Sequence, residues 1–207
     1  MKNPHFIPVL VLLTFAVSRW PGLMPLNFSA AYAIAFCCGA FRNRLPWSWA
    51  FAVLVLTDVA KNVLYYNAPA MNVFSVLNYA AFGIIYGLGR GFSKKHSTLH
   101  LAGGGLLGAL LFYWVTNTGA WIQNPEYAKT VMGWFQALTT GTTGWPQTWE
   151  FFRNTLLSGG LFTTILAGLL KITEQQPASE TEQREDESPV TEGEQKPEQE
   201  ASCTKSH

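Results

Sequence analysis

Residues 47–66 read WSWAFAVLVLTDVAKNVLYY, a stretch of twenty residues that is uncharged except for Asp58 and Lys61. A stretch of this length can cross the hydrocarbon core of a bilayer as an α-helix. Charged side chains are costly at the bilayer centre, so Asp58 and Lys61 mark this helix as one that faces the interior of a bundle. The stretch therefore predicts an α-helical membrane protein.

Five further intervals, uncharged except for Arg153, predict additional helices, which makes about six transmembrane helices in all. These intervals are residues 4–18, 28–41, 71–88, 100–115 and 151–170. Another interval, residues 131–143, has apolar side chains on only one helical face and is predicted to be a short amphipathic helix at the membrane interface. The predicted fold class is therefore all-α, an integral membrane bundle.

Charge divides the chain near residue 172. Residues 173–207 contain ten of the thirteen acidic residues, three of the fourteen basic ones and none of the aromatic ones. Such a segment cannot bury enough apolar surface to offset its ordering entropy, so we predict a disordered acidic tail. Residues 1–172 form the predicted transmembrane domain, which has no basic patch of the kind that binds nucleic acid.

Lysine and arginine residues near the predicted helix ends indicate the orientation in the membrane. Seven of them fall on one side, which we expect to be cytoplasmic: Lys2, Arg42, Arg44, Arg90, Lys94, Lys95 and Lys171. Both termini and the acidic tail would then be cytoplasmic. An alternative for residues 1–18 is a signal peptide that is cleaved after Ala16-Val17-Ser18.

Polar residues gather in the middle-to-outer half of the predicted bundle. Asp58 and Lys61 are spaced i, i+3, so they share a helix face and can neutralise each other. The remaining members lie near outer helix ends: Arg19, Asn117, Arg153 and Asn154. Ionisable residues inside a membrane are candidates for function, and this set predicts a ligand cavity open to the outside. The alternative is an internal ion pair with arginines that extend from helix ends to the interface.

Small residues recur at every fourth position of the second predicted helix, at Ala31, Ala35 and Gly39. This spacing lets helix backbones approach closely. It predicts either packing inside the bundle or a docking face for a partner membrane protein.

Sequence signatures of enzymes and cofactor sites are absent from the chain. The four histidines have no carboxylate or cysteine at metal-ligand spacing, and neither a phosphate-binding loop nor a His-Glu-x-x-His motif occurs. The three cysteines do not suggest a disulfide framework. We therefore expect no catalysis, no metal and no cofactor.

Three stretches resemble a family of bacterial multi-pass membrane proteins of unknown function. Its expected fold is similar to that of the substrate-binding S components of energy-coupling factor vitamin transporters. The stretches are RWPGLMPLNF at residues 19–28, LTD at 56–58, and 116–157 with TN at 116–117, YAKT at 127–130 and FFRNTLL at 151–157. Asn27 and Trp121 lie in these stretches and complete the candidate ligand-binding set.

The resemblance implies a bacterial inner-membrane protein with six helices and a ligand cavity near the outer surface. It also implies that a small-residue helix face docks on a transmembrane coupling protein. The expected function is capture of a small metabolite or vitamin-like compound for uptake, with energy supplied by partner ATPases. The alternative is a structural or accessory membrane protein that binds a partner through its small-residue faces and takes no ligand.

Overall fold

The computed structural model describes residues 6–93 and 95–186, and these ranges contain helices and their connections but no β-strand. The all-α class predicted from the sequence is confirmed. Seven α-helices follow one another in these ranges: α1 (Phe6–Ser18), α2 (Ala31–Ala40), α3 (Trp47–Ala60), α4 (Val73–Arg90), α5 (Thr98–Gln123), α6 (Val131–Leu138) and α7 (Thr148–Asp186). A π-helical segment, Lys61–Tyr65, continues α3 directly.

Four of the described helical segments are long and apolar enough to cross a membrane. They are Trp47–Tyr65, Val73–Arg90, Thr98–Gln123 and Thr148–Ile172, and they match the last four predicted spans. The second predicted span, residues 28–41, is shorter in the structure, where α2 has 10 residues. Helix α1 has 13 residues and ends at Ser18 as predicted, and residues 4 and 5 of the first predicted span lie outside the described residues. At 1.5 Å per residue, α2 measures about 15 Å against a hydrocarbon core of roughly 30 Å.

The connection between α1 and α2 explains this difference. Pro21 and Pro25 cannot donate a backbone hydrogen bond and so interrupt a helix. Gly22 and Asn27 have positive φ values of 86° and 59°, which a right-handed helix does not contain. An uncharged interval in the sequence is therefore partly a loop, and the chain becomes helical again only at Ala31.

Helix α2 forms the centre of the packed bundle. Every residue from Ala31 to Gly39 is buried, which requires neighbours on all sides of the helix. Its closest neighbour is α4: a Cβ atom on Gly39 would lie 2.3 Å from the carbonyl oxygen of Tyr86, and one on Gly89 would lie 2.2 Å from that of Phe36. Glycine at both positions permits this close crossing of two backbones.

A short helix, α6 (Val131–Leu138), is present within the predicted range 131–143, and its position at a membrane interface stays a prediction. Its buried residues are Gly133 and Ala137, whereas Val131, Met132 and Phe135 are exposed. An exposed apolar face of this kind is what a helix at a membrane interface turns towards lipid.

The chain divides into two compact units, Met1–Ile172 and Thr173–His207. Because α7 ends at Asp186, residues 173–186 have helical backbone where the sequence predicted disorder. Alanine, glutamate and glutamine favour helix, and a helix that has already nucleated extends at low cost. The disorder predicted for residues 187–207 concerns a range outside the described residues.

Candidate functional site

The Asp58 carboxylate joins two cationic side chains in a buried triad, Arg19–Asp58–Lys61. Its Oδ1 accepts a hydrogen bond from Nη2 of Arg19, and Nζ of Lys61 lies 2.9 Å from the same oxygen. The Arg19 and Asp58 side chains are 9% and 11% exposed, and that of Lys61 is 22% exposed. The predicted Asp58–Lys61 pair is thus present, with Arg19 added to it.

Each member of the triad comes from a different local structure. Arg19 follows the last residue of α1, Asp58 lies in the last turn of α3, and Lys61 begins the π-helical segment. There, the amide of Tyr66 donates a 3.0 Å hydrogen bond to the carbonyl of Lys61, five residues earlier. Single π-helical turns within α-helices are frequent at functional sites. The triad therefore lies where the hydrogen-bonding pattern changes within a helical segment that is long enough to cross a membrane.

Two buried polar atoms beside the triad have no hydrogen-bond partner in the described part of the chain. One is Nε of Arg19, whose guanidinium carbon also lies 5.5 Å from the centroid of the Phe15 ring. The other is the hydroxyl of Tyr79 in α4, which is directed at the Asp58 carboxylate and interacts with it, but outside the geometry of a normal hydrogen bond. An unpaired buried polar group costs about 1–3 kcal/mol. The site therefore has two hydrogen-bond donors that no described protein group accepts from.

Two hydrogen bonds hold the loop of residues 19–30 against the helices. The Tyr32 hydroxyl donates to the carbonyl of Asn27 at 3.2 Å, and Nδ2 of Asn154 in α7 donates to the carbonyl of Leu26 at 2.9 Å. The Tyr32 hydroxyl also interacts electrostatically with Arg19. Asn27 and Asn154, both predicted ligand residues, therefore position the loop that begins with Arg19.

A small apolar cavity of about 10 Å³ is lined by no triad residue but by Phe15, whose ring centroid lies 5.5 Å from the Arg19 guanidinium carbon. This volume holds about one water molecule and is far below the roughly 300–1,000 Å³ of pockets for drug-sized ligands. Its lining consists of Phe15, Ala31, Ile34, Ala35, Trp47, Ala50, Leu54 and Phe82. The site shown by the structure is thus compact, with a polar part and an adjacent apolar part.

The remaining predicted ligand residues use their polar groups elsewhere. Nδ2 of Asn117 donates to the carbonyl of Tyr113 within α5, at 2.8 Å, and Nε1 of Trp121 donates to the carbonyl of Ala128 at 2.9 Å. The guanidinium carbon of Arg153 lies 5.4 Å from the Trp149 ring centroid. These contacts stabilise local structure and do not involve the triad.

The Trp121 region is itself a closed hydrogen-bonded loop. Lys129 donates through Nζ to the carbonyls of Trp121 and Asn124, the latter at 2.7 Å. Burial raises the pKa of the nearby Tyr127 above its ordinary value, so this hydroxyl stays neutral at physiological pH. The loop between α5 and α6 is thus held by its own side chains.

The docking face predicted at Ala31, Ala35 and Gly39 is not accessible to a partner. All three residues are buried inside the protein, and Gly39 forms the close crossing with α4. The small-residue pattern did indicate close helix packing, but the helix that uses it belongs to the same chain. This corrects the docking hypothesis in favour of its alternative, packing inside the bundle.

Sequence reasoning missed Tyr32 and Tyr79. Both lie in apolar helices and carry no charge, so a search for charged residues inside apolar stretches passes over them. A buried phenol hydroxyl needs a partner as a charged group does, although its cost is smaller. The sequence signal that could have identified these two residues is the occurrence of tyrosine within the apolar helices.

The described residues contain no group of three or more histidine, cysteine or acidic side chains that could hold a metal ion. Cys37 and Cys38 are both buried and free. The polar groups that the site presents are two cations, one carboxylate and a phenol hydroxyl.

The described part of the chain is thus all-helical, with four helical segments long and apolar enough to cross a membrane and a buried ion triad that joins the residue after α1 to α3 and the π-helical segment. The chain belongs to the family of unknown function DUF6580, whose family model it matches over residues 1–182. This match confirms the family resemblance at the level of a family of unknown function. No curated protein matches the chain, and no solved structure matches it.

Proposed function

We propose that the protein binds a small metabolite at the Arg19–Asp58–Lys61 triad and captures it for uptake, in the manner of an S component of a vitamin transporter. The observation that supports the proposal is the convergence of three ionisable side chains on one buried point beside a span-forming helix. Ionisable groups are rare inside membranes and commonly belong to substrate pathways.

In this proposal the chain is a bacterial inner-membrane protein with six spans, in which α1 and α2 complete the four long helices. Short helices can span partially when neighbouring helices shield their ends or the bilayer thins locally. Both termini are cytoplasmic, because the described basic residues Arg42, Arg44, Arg90, Lys95 and Lys171 fall on one side of that arrangement. Lys2 and Lys94, which belong to the same predicted set, lie outside the described residues.

The proposed protein supplies binding and no energy. The sequence contains no phosphate-binding loop, so uptake would depend on a transmembrane coupling protein and its ATPases. Because α2 is buried, the partner would dock on another helix. Helix α4 has an exposed face at Gly83 and Gly87, where an added Cβ atom would meet nothing within 4 Å.

A second candidate function is that of an accessory membrane protein without a ligand. The small volume of the cavity favours it, as does the pairing of Asp58 with both cations. In that case the triad only stabilises the bundle, and the exposed glycines of α4 serve the contact with a partner.

Mass spectrometry of the purified full chain distinguishes the two candidates. The protein is extracted in mild detergent, its bound small molecules are identified, and the same is done for Asp58→Asn/Lys61→Met and for Arg153→Gln. We expect a metabolite that the double variant loses and that Arg153→Gln retains, because the exposed Arg153 lies outside the triad. Absence of any ligand, together with a co-purified membrane protein, would instead establish the accessory role.

A further inference from the structure

Building on the proposed function, we infer that the ligand is a small monocarboxylate with a short apolar chain. Its carboxylate would be bound by Arg19, Lys61 and Tyr79, and its apolar chain would enter the cavity beside the triad. Three independent features support this ligand class: the charge of the triad, its unpaired donors and the position of the cavity.

The first feature is the charge of the triad. Two cations, Arg19 and Lys61, share a single carboxylate, and both contact the same oxygen of Asp58. The triad thus has an excess of one positive charge in a site that is mostly shielded from solvent. A charge without a counter-charge is costly in such a site. A ligand with one negative charge neutralises the excess, whereas an amine would increase it and a dianion would reverse it.

The second feature is the chemical character of the unpaired atoms. Nε of Arg19 and the Tyr79 hydroxyl are both hydrogen-bond donors, and the Arg19 side chain is only 9% exposed. Hydrogen bonds from arginine or a hydroxyl to a carboxylate are short and stronger than those between neutral groups. Two donors next to a cationic pair match the two oxygens of one carboxylate.

The third feature is that the elements carrying the polar groups also line the apolar cavity. Phe15 precedes Arg19 by one helical turn, Leu54 precedes Asp58 by one turn, and Phe82 follows Tyr79 by nearly one turn. Helices α3 and α4 run antiparallel, because the Trp47 ring stacks on Tyr86 at 4.9 Å and the Phe51 ring contacts Tyr79 at 5.7 Å. All three lining residues therefore lie on the same side of the polar groups.

This arrangement fits a molecule with a charged head and a short apolar tail. The cavity of about 10 Å³ has room for about one water molecule or one methyl group, so a longer tail requires the helices to move. Tails that exceed this space would have to displace side chains of a packed core.

Thermal unfolding of the purified full chain in detergent tests the ligand class. Sodium acetate, butyrate and hexanoate are compared with butyramide and n-butylamine hydrochloride at equal ionic strength. A ligand that binds only the folded state raises the midpoint of unfolding in a saturable manner. We expect this from the carboxylates, with acetate and butyrate above hexanoate, and from neither the amide nor the amine.

Tyr79→Phe is the decisive variant. Because its hydroxyl makes no hydrogen bond of normal geometry among the described residues, the substitution should leave the stability of the ligand-free protein nearly unchanged. It should weaken butyrate binding about tenfold, the loss expected for one hydrogen bond to a charged group. Tyr86→Phe is the matched control on the same helix and should bind butyrate like the parent. Equal butyrate affinity in the Tyr79→Phe variant and the parent would overturn the inference.

The outcomes separate the inference from the proposed function. Binding of a neutral or cationic compound that is lost in Asp58→Asn/Lys61→Met would contradict the carboxylate but keep a ligand site at the triad. If no compound of any charge class binds and the purified protein holds no metabolite, both the inference and the proposed function are wrong.

Discussion

Two polar regions of the molecule use their side chains in opposite ways. In the triad, Asp58 contacts side chains from two other positions of the chain, and neighbouring donors remain unpaired. In the loop after α5, Trp121 and Lys129 donate to backbone carbonyls a few residues away. The donors of Trp121 and Lys129 are thus already used in hydrogen bonds to the backbone. In the triad region, Nε of Arg19 and the Tyr79 hydroxyl can still donate hydrogen bonds to a ligand. This difference in available donors distinguishes the candidate site from the loop after α5.

Replacing Asp58 should have the largest effect on stability. Asp58→Asn leaves the buried cations Arg19 and Lys61 without their counter-charge, and removal of one partner from a buried pair typically costs about 3–5 kcal/mol. The free energy of unfolding, measured by denaturant titration in mixed micelles, should fall by that amount. Arg153→Gln is the control for loss of an exposed charge and should change it by less than about 0.5 kcal/mol.

A double-mutant cycle makes the comparison quantitative. Asp58→Asn/Lys61→Met removes one charge of each sign, so it should recover about 0.5–3 kcal/mol of the loss caused by the two single variants. Strictly additive losses would show that Asp58 and Lys61 do not interact, and the triad would then not differ in kind from the Trp121 loop.

The sequence predicted the helices better than the contacts between them. Apolar stretches of sufficient length define spans because the bilayer imposes a minimum length, and the four long helices follow that rule. The i, i+3 spacing also predicted the Asp58–Lys61 pair, which needs only local helix geometry. The charge gaps did not show that the loop of residues 19–30, with positive φ values at Gly22 and Asn27, continues as far as Ala30 and so shortens α2.

Contacts between distant elements had no comparable signal. Arg19 is 39 residues from Asp58, and Asn154 is 128 residues from Leu26, so their pairing depends on the three-dimensional packing. The glycine spacing at Gly39 indicated close helix contact but could not identify the other helix. That helix is α4 of the same chain, and the identity of a packing partner is a property of the whole fold.

A pair of glycine substitutions should have a smaller effect than Asp58→Asn and tests whether packing alone holds the triad region together. Gly39→Ala places a Cβ atom 2.3 Å from the Tyr86 carbonyl, so α2 and α4 must separate. Overpacking typically costs about 1–3 kcal/mol. Gly83→Ala, where nothing lies within 4 Å, is the matched control and should be neutral or stabilising by up to about 1 kcal/mol. Equal effects of the two substitutions would contradict the close crossing.

The smallest effect should come from the other side of the comparison, at Trp121. Trp121→Phe keeps an aromatic ring but removes the donor to the Ala128 carbonyl, so the free energy of unfolding should fall by about 0.5–1 kcal/mol. Trp114→Phe, an exposed tryptophan of the same helix, is the control for the change in ring size. Butyrate should raise the unfolding midpoint of both variants as it does that of the parent, because neither residue belongs to the triad or lines its cavity. If Trp121→Phe abolished this response while Trp114→Phe preserved it, Trp121 would belong to the ligand site, and the two regions would be parts of one larger pocket.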